Sequence, residues 1–578
     1  MRMSQPRHAA AALVLAAAVS VGGARAQSAA AADLIVTGAR IYTVDAARPM
    51  AEALVVRGTR LVFVGSAREA LVFRGAGTRV VDVHGATIIP GMVDAHAHLL
   101  DLGQTLRQVD LSGAATYEEV VARVVARARN MPAGSWIEGW GWDQNRWPGQ
   151  RFPTHDPLSA AVPDHPVLLA RVDGHAVLAN ARAMQLAGVT RDARDPDGGR
   201  VLRDAAGNPT GVFVDNAESL VRRAMPTPTD AELEAAVLAA VTECNRWGLT
   251  GIHDPGVRRP VIAVYERLAR ASRLTLRDYV MISDDSAMEA EYFAKGPQNA
   301  LDDGHLWIRA VKLYADGALG SRGAALLSSY SDDPGNVGLL LSTPDHLRDV
   351  SVRALKAGFQ VATHAIGDRG NRITLDAYEA ALRAVPTADH RFRIEHAQII
   401  NWIDIPRFAE LGVIPSMQAV HATSDMYWAA DRLGPTRILG AYAWRSLLNT
   451  GVVIPNGSDM PVERVNPLYS FHAAVTRQDE HDWPTGGWHL EQRMTRDEGL
   501  KSMTLWPAYA GFQEHDLGSL TVGKYADFVV LDRDIMTVAD ADILHTRVLA
   551  TYLGGRAVYT RPAETSDSAT GTSSAHAP

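Results

Sequence analysis

This 578-residue chain has little cysteine and no excess of positive charge. The only cysteine is Cys244, so the sequence excludes an intramolecular disulfide and a thiolate metal cluster. Lysine and arginine total 57 against 65 aspartate and glutamate, a formal net charge of -8. No basic patch interrupts this balance, so we expect no nucleic-acid partner. Histidine occurs 20 times, and any bound metal must therefore have nitrogen and oxygen ligands.

Long apolar runs are missing beyond the N-terminus. The first residues have a positively charged start, an apolar stretch over 9–21 and small residues up to Ala26, which is typical of a signal peptide over 1–26 cleaved after Ala26. That apolar stretch is too short to span a bilayer. We expect a periplasmic or secreted protein with no membrane contact after signal removal. The small, polar composition of 562–578 predicts a disordered tail.

Two stretches near the chain ends have the texture of small antiparallel sheets. Apolar and polar residues alternate with a period of two, and glycines mark the turns, over 27–90 and again over 516–561. A sheet of about 50 residues on its own would be marginally stable. We therefore predict one small β-sandwich built from both chain ends.

Between these stretches, residues 91–515 alternate short β-branched runs with helical patterns. This alternation predicts an α/β fold, a (β/α)8 barrel of the TIM type. The region exceeds the roughly 250 residues of a plain barrel, and the surplus forms an insertion at about 99–248. The eight predicted strands cover 87–96, 249–254, 276–283, 307–317, 360–365, 392–397, 413–418 and 451–459.

Metal-ligand residue types mark the ends of several predicted strands. His96 and His98 are two residues apart, so both point to the same face of the first strand. TIM barrels gather their reactive groups at the carboxyl ends of the strands, where imidazoles and a carboxylate suit Zn²⁺ or a similar ion. Each histidine taken singly has the alternative of a hydrogen-bonded core residue. The predicted metal site comprises His96, His98, Lys312, His364, His396 and Asp459.

Lys312 is the unusual member of this set. A protonated amine facing cations would be repelled, so we expect this lysine to lose its charge. Its amine could then capture carbon dioxide, and the two anionic oxygens of the carbamate could bridge two metal ions. The alternative is an ordinary ion pair, for example with Asp316, and spacing leaves both open.

Eight stretches of the sequence resemble the amidohydrolase superfamily of binuclear metal hydrolases. They are similar to the branch, amidohydrolase family 3, that includes the N-substituted formamide deformylases. The resemblance covers about 33–559 and does not extend to a particular substrate. The stretches are PGMVDAHAHLL, GWGWDQNRW, RVDGHAVLAN, VKLYADGALGSRGAAL, THAIGDRGN, RIEHAQ, GSDMPVERVNPL and GKYADFVVLD.

The resemblance implies the same barrel and sandwich, together with a binuclear centre. It also implies that Asp459 takes a proton from the attacking water and later gives it to the leaving nitrogen. The implied ligands are His96, His98 and Asp459 for one ion, His364 and His396 for the second, and carbamylated Lys312 between them.

Four more residues are candidates for substrate contacts. His175 could reach the substrate carbonyl, or could bond to a neighbouring aspartate in its own loop. Trp142 could wall an apolar chamber, or could pack the insertion on the barrel. Arg322 and His421 resemble family positions near the pocket, with structural pairing as the alternative. Glu395 precedes a predicted ligand, so we expect it on the opposite face of its strand as structural support.

These observations predict a metal-dependent hydrolase that acts on a non-peptide carbon–nitrogen bond of a small amide-like molecule. One alternative is that the same metals cleave an ester, lactone or carbamate. A second alternative is a non-catalytic protein that binds metal or ligand on the same fold. The sequence is also compatible with a homo-oligomer.

Overall fold

The computed structural model describes residues 31–562. The predicted signal peptide over 1–26 and the predicted tail beyond Pro562 lie outside the described residues. Within 31–562, no helix combines the length and the apolar character that crossing a membrane requires.

Seven short strands and one short helix open the described chain. They are β1 (Leu34–Thr37), β2 (Arg40–Tyr42), β3 (Met50–Ala51), β4 (Ala53–Arg57), β5 (Arg60–Gly65), α1 (Ala67–Ala70), β6 (Arg79–Asp82) and β7 (Thr87–Pro90). Strands β5, β4, β1 and β6 form a four-stranded sheet in that order, while β2, β3 and β7 belong to a second sheet.

The insertion folds around a sheet of its own, which the sequence pattern does not predict. The region runs through β8 (Met92–Asp94), α2 (Leu99–Thr105), β9 (Val109–Asp110), α3 (Tyr117–Ala128), β10 (Ile137–Trp142), α4 (Asp156–Ala161), β11 (Val167–Arg171), β12 (Ala176–Ala179), α5 (Ala181–Ala187), β13 (Gly199–Arg203), β14 (Pro209–Asp215), α6 (Ser219–Arg222) and α7 (Asp230–Arg246). Strands β13, β14, β12, β11, β10 and β9 form one sheet in that order. Consecutive residues of a strand point to opposite faces, so Leu168 and Leu169 of β11 enter separate apolar clusters on the two sides of this sheet.

A curled sheet of parallel strands forms the centre of the molecule. Its remaining elements are β15 (Leu249–Val257), α8 (Arg259–Arg270), β16 (Arg277–Ser283), α9 (Ser286–Lys295), β17 (Gln298–Ala300), α10 (Leu301–Gly304), β18 (Leu306–Tyr314), α11 (Pro344–Ala357), β19 (Gln360–Ala365), α12 (Asp368–Ala384), β20 (Arg393–His396), α13 (Ile405–Leu411), β21 (Ile414–Ser416), α14 (Ala419–Asp425), α15 (Ala429–Arg437), α16 (Trp444–Leu448), α17 (Pro467–Thr476), α18 (Arg496–Ser502) and α19 (Leu505–Ala510). The spatial order is β8, β15, β16, β18, β19, β20, β21, and β17 pairs antiparallel with β18.

Local signals set where the connecting helices begin and end. The hydroxyl of Thr343 accepts the N–H of His346, and Pro344 occupies the first turn, so α11 begins there. The helix ends at Gly358, whose φ of 76° is the left-handed conformation that glycine adopts without strain. These two signals fix both ends of α11, the helix that connects β18 to its parallel neighbour β19.

The eighth predicted strand, 451–459, is not a regular strand in the described chain. This segment makes only isolated parallel bridges, at Asn456 beyond β21 and at Met460 beside the end of β8. The segment packs closely against the end of β8 at Gly457, where a Cβ would lie 2.6 Å from the backbone nitrogen of His96. The segment therefore lies between the two edges of the curled sheet without a continuous ladder.

The chain ends with β22 (Phe528–Leu531), β23 (Val548–Leu553) and β24 (Arg556–Thr560). These strands extend the second terminal sheet in the order β24, β23, β22, β7, β2, β3, so both chain ends contribute to it. Leu54 of the four-stranded sheet shares one apolar cluster with Phe528 and Tyr552, whose rings stack 4.4 Å apart. The first predicted run, 87–96, divides at Gly91, with β7 in this sheet and β8 in the curled one.

Candidate metal centre

The six predicted metal ligands lie at one edge of the curled sheet. Two of the histidines follow β8, and the lysine and the other two histidines lie in β18, β19 and β20. The aspartate ends the segment 451–459 and precedes Met460, which forms a bridge with Ala97 after β8. Parallel strands direct their carboxyl ends to the same edge, which brings remote stretches together. The six are His96, His98, Lys312, His364, His396 and Asp459.

The first group of ligand atoms surrounds Asp459. Its Oδ1 lies 3.2 Å from Nε2 of His98 and 3.5 Å from Nε2 of His96. Nζ of Lys312 lies 3.4 Å from the same His96 nitrogen. The ligand atoms of the two histidines and the aspartate all lie within 4.8 Å of one another. With metal–ligand bonds of about 2.0–2.2 Å, one cation could contact all three after small adjustments.

A second group adjoins the first. The rings of His364 and His396 lie 4.5 Å apart, and the ring of His396 lies 5.0 Å from that of His96. His421 stacks on His396 at 5.9 Å, and its Nε2 lies 3.8 Å from Oδ2 of Asp459. The ligand atoms of His396, His421 and Asp459 also lie within 4.8 Å of one another. The structure thus brings His421 to the ligand cluster itself.

The chemistry of the buried ring nitrogens fits a cation. Nε2 of His364, Nδ1 of His396 and Nε2 of His421 are buried and have no hydrogen-bond partner among the described residues. Each such buried polar atom costs about 1–3 kcal/mol. Burial lowers the pKa of all three histidines, so their imidazoles are neutral and carry free lone pairs. A divalent cation would satisfy these lone pairs.

Lys312 does not form the ion pair that was its alternative role. The carboxylate of Asp316 accepts three backbone N–H groups at 2.8–2.9 Å, from Ala325 in the loop after β18 and from Ile366 and Gly367 just after β19. Oδ1 of Asp316 also lies 3.8 Å from Nε2 of His364, whose imidazole is neutral. Burial lowers the pKa of Lys312 to about 8, so about one tenth of its amine is uncharged at pH 7, far more than for an exposed lysine.

Two of the predicted ligands have backbone conformations that residues other than glycine rarely adopt. The φ angles are 72° at His396 and 59° at Asp459. Such strained residues persist where the surrounding structure fixes them, commonly at functional sites. Burial opposes ionisation of Asp459, but the charges of His96 and His98 hold its pKa below the usual range. The ring of ligands therefore includes a carboxylate that stays anionic.

His175 reaches the site from the insertion. Its ring lies 5.2 Å from that of His364, and its Nδ1 lies 2.7 Å from Oδ1 of Asp215, which lies 40 residues away rather than in the same loop. Asp215 is buried with a φ of 51°, and Gly317 and Gly323 leave the space that it fills. Asp215 is a site residue that sequence reasoning missed, because only its place at the end of β14 marks it.

A comparison of the sequence with known protein families identifies the family of this chain. The profile of the amidohydrolase family matches residues 79–559. This chain belongs to the amidohydrolase family. It is therefore a hydrolytic enzyme of a metal-dependent family.

Relatives of this amidohydrolase match nearly its whole length. The Arabidopsis thaliana protein LONG AFTER FAR-RED 3 is 35% identical over 541 residues, covering 91% of this chain and 92% of the relative. The N-substituted formamide deformylase of Arthrobacter pascens is 29% identical over 547 residues, covering 92% and 98%. A crystal structure of an uncharacterized metal-dependent hydrolase from Pyrococcus furiosus has 28% identity and a TM-score of 0.69, covering 87% of this chain and 100% of that one.

Two predicted substrate contacts of the amidohydrolase lie elsewhere. Trp142 is buried in the insertion's own core, where its Nε1 donates to the carbonyl of Leu169 at 2.8 Å. Arg322 pairs with Asp332 at 3.0 Å rather than with a ligand of the metal centre. Trp140 connects the insertion to the chain beside Asp459, because its Nε1 donates to the carbonyl of Pro461 at 3.2 Å.

The expectation that Glu395 faces away from the site is wrong. Its Oε2 lies 2.5 Å from Nδ1 of His96, and Arg393 contacts the same carboxylate. The alternation of the strand ends at His396, whose positive φ turns its ring toward the cluster, so neighbouring side chains both serve the site. Glu395 thus fixes the orientation of one predicted ligand through the second ring nitrogen.

Changing Glu395 to glutamine should weaken zinc binding by the purified amidohydrolase by about 10–100-fold, because His96 loses its anionic partner. Competition with a zinc chelator would measure the dissociation constant. Glu379→Gln is the matched control, because half-buried Glu379 of α12 also pairs with arginines but lies outside the cluster, and this variant should bind zinc like the parent. Equal zinc affinity in the two variants would show that the Glu395 contact does not support the ligand.

Proposed function

We propose that this amidohydrolase cleaves the carbon–nitrogen bond of a small N-substituted amide or formamide with a metal-activated water. The observation that carries the proposal is the meeting of six ligand-type side chains in one cluster. Among the described residues, two of them, His364 and His396, have a buried ring nitrogen without a hydrogen-bond partner. The similarity to an N-substituted formamide deformylase along 98% of that relative supports the choice of bond.

Two divalent ions, zinc by the nitrogen and carboxylate character of the ligands, would complete the centre. His96, His98 and Asp459 would hold one, His364 and His396 the other, and Lys312 as its carbamate would link them. Bound divalent ions lower the pKa of water toward neutrality and polarise a carbonyl oxygen.

The protein's own side chains supply proton transfer and orientation. Asp459, anionic and in contact with both histidine groups, takes the proton of the attacking water as the carbon–oxygen bond forms. It then passes that proton to the amide nitrogen, the carbon–nitrogen bond breaks, and the amine leaves. His175, held at Nδ1 by Asp215, presents its other nitrogen toward the substrate carbonyl oxygen. His421 lies beside Asp459 and would contact the substrate.

A matched pair of substrates separates this proposal from its alternatives. N-benzylformamide and benzyl formate differ only in the atom that leaves, so the ratio of their kcat/KM values reports the bond preference. We expect hydrolysis of the formamide, loss of activity after chelation and recovery on adding zinc. Turnover of the ester alone would favour the ester, lactone or carbamate alternative. Bound zinc without any turnover would favour the non-catalytic one.

We further propose the finer architecture and location that accompany this function. The bridges at Asn456 and Met460 support closure of the curled sheet into a (β/α)8 barrel, and the shared terminal core supports a sandwich. The sequence pattern of 1–26 supports export, so the mature enzyme would act in the periplasm or outside the cell.

A further inference from the structure

A polar cavity of about 400 Å³ is lined by none of the six predicted metal ligands. It forms where the insertion meets the loop after β18 and helix α15, and its volume is within the range of small-molecule sites. The lining residues are Gly149, Gln150, Arg322, Asp332, Asp431 and Arg432.

Two arginines in this cavity share a single carboxylate. Nη2 of Arg322 lies 3.0 Å from Oδ2 of Asp332, and Nη1 of Arg432 contacts the same oxygen. Arg432 is only 4% exposed, and its Nη2 donates to Oδ1 of Asn145 at 3.0 Å. Its Nε is buried and has no hydrogen-bond partner among the described residues. The buried guanidinium therefore keeps an unused donor.

The charge balance around Asp332 is incomplete. Both guanidinium groups pair with the carboxylate of Asp332, whereas Asp431, the other carboxylate of the lining, forms no ion pair with either arginine among the described residues. Burying a charged group without full pairing is costly. Burial and the positive charge of Arg322 lower the pKa of Arg432, which reflects the same imbalance. Arginine donors form a planar fork that matches carboxylate oxygens, so a second carboxylate would complete the arrangement.

We propose that this cavity binds the carboxylate group of a small organic acid, between Arg322 and Arg432 and beside Asp332. The site is separate from the metal centre, and the inference does not depend on the proposed reaction.

Asp431 gives the site an orientation. It lines the cavity, its side chain is exposed, and it is adjacent to Arg432 at the first turn of α15. Its negative charge repels an incoming carboxylate, so the acid group lies at the arginines and the rest of the ligand lies nearer Asp431. Removing this charge should strengthen carboxylate binding.

Isothermal titration calorimetry with sodium benzoate tests the site on the purified full-length enzyme. Benzoate has one carboxylate and fits the volume, and benzyl alcohol is the neutral control. We expect benzoate to bind, and Arg322→Gln to weaken that binding by about tenfold or more, since it removes a charge-assisted hydrogen bond. Arg445→Gln is the matched control, because Arg445 has similar exposure and pairs with Glu498 elsewhere. It should leave the affinity unchanged.

Asp431→Asn provides a second test that does not alter the buried pair. It should raise the affinity for benzoate and leave that for benzyl alcohol unchanged. The proposal is overturned if wild-type enzyme does not bind benzoate, or if Arg322→Gln binds it as tightly as wild type, which would locate binding outside this cavity. If Arg322→Gln does not fold, equal benzoate affinity in Asp431→Asn and wild type overturns it.

Discussion

Asp459→Asn should lower kcat by about 10²–10⁴-fold, because an amide cannot accept the proton of the attacking water. The fold should survive this change. Asparagine tolerates the φ of 59° at this position, and the backbone N–H of residue 459 donates to the carbonyl of His96 at 2.7 Å whatever the side chain. Loss of rate with an unchanged melting temperature is thus the expected result.

Hydrolysis of N-benzylformamide would measure kcat, and metal analysis of each preparation would show whether zinc is retained. Asp497→Asn, a change of the same size on the exposed surface of α18, should keep the parent rate. A kcat near the wild-type value in the Asp459 variant would remove this residue from acid–base catalysis.

His175→Gln should lower kcat by about 10²–10³-fold, the usual effect of removing a hydrogen-bond donor to a developing oxyanion. The ring adjoins His364 and is anchored to the buried carboxylate of Asp215. Asp215→Asn should cause a smaller loss, since the amide still holds the ring but no longer stabilises its positive charge. Asp192→Asn, exposed on the insertion, is the control and should have the parent kcat.

The pH profile distinguishes a charge effect of Asp215 from simple packing. Burial lowers the pKa of His175, but the hydrogen bond and charge of Asp215 raise it, to about 9. Without that carboxylate, His175 loses its proton at lower pH, so the alkaline limb of kcat should move to lower pH in Asp215→Asn. A limb that stays in place while kcat falls would indicate that Asp215 only positions the ring.

Strand-end residues were predictable from the sequence because geometry constrains them. A parallel sheet directs every carboxyl end to one edge, so His96, His364 and His396 had to lie near one another once their strands were recognised. That rule also places Lys312 near the cluster, whereas Asp459 lies in a segment that is not a regular strand. The bond preference does not follow from the strand geometry, because pocket-lining loops are not fixed by the fold.

Features that depend on irregular backbone were not predictable. Period-two alternation predicted that Glu395 faces away from its neighbour, but the positive φ of His396 ends that alternation. The sequence pattern of 451–459 is typical of a strand, yet the segment has only isolated bridges, at Asn456 and at the following Met460. Asp215 reaches His175 only through the pairing of β12 with β14, which a sequence pattern does not specify.

Anomalous scattering at the zinc edge, from crystals of the purified enzyme, tests the central claim most directly. The account predicts two peaks, one among His96, His98 and Asp459 and one between His364 and His396, with added density on Nζ of Lys312. A cluster without any peak, in enzyme that still hydrolyses its substrate, would contradict the metal centre on which the proposed catalysis depends.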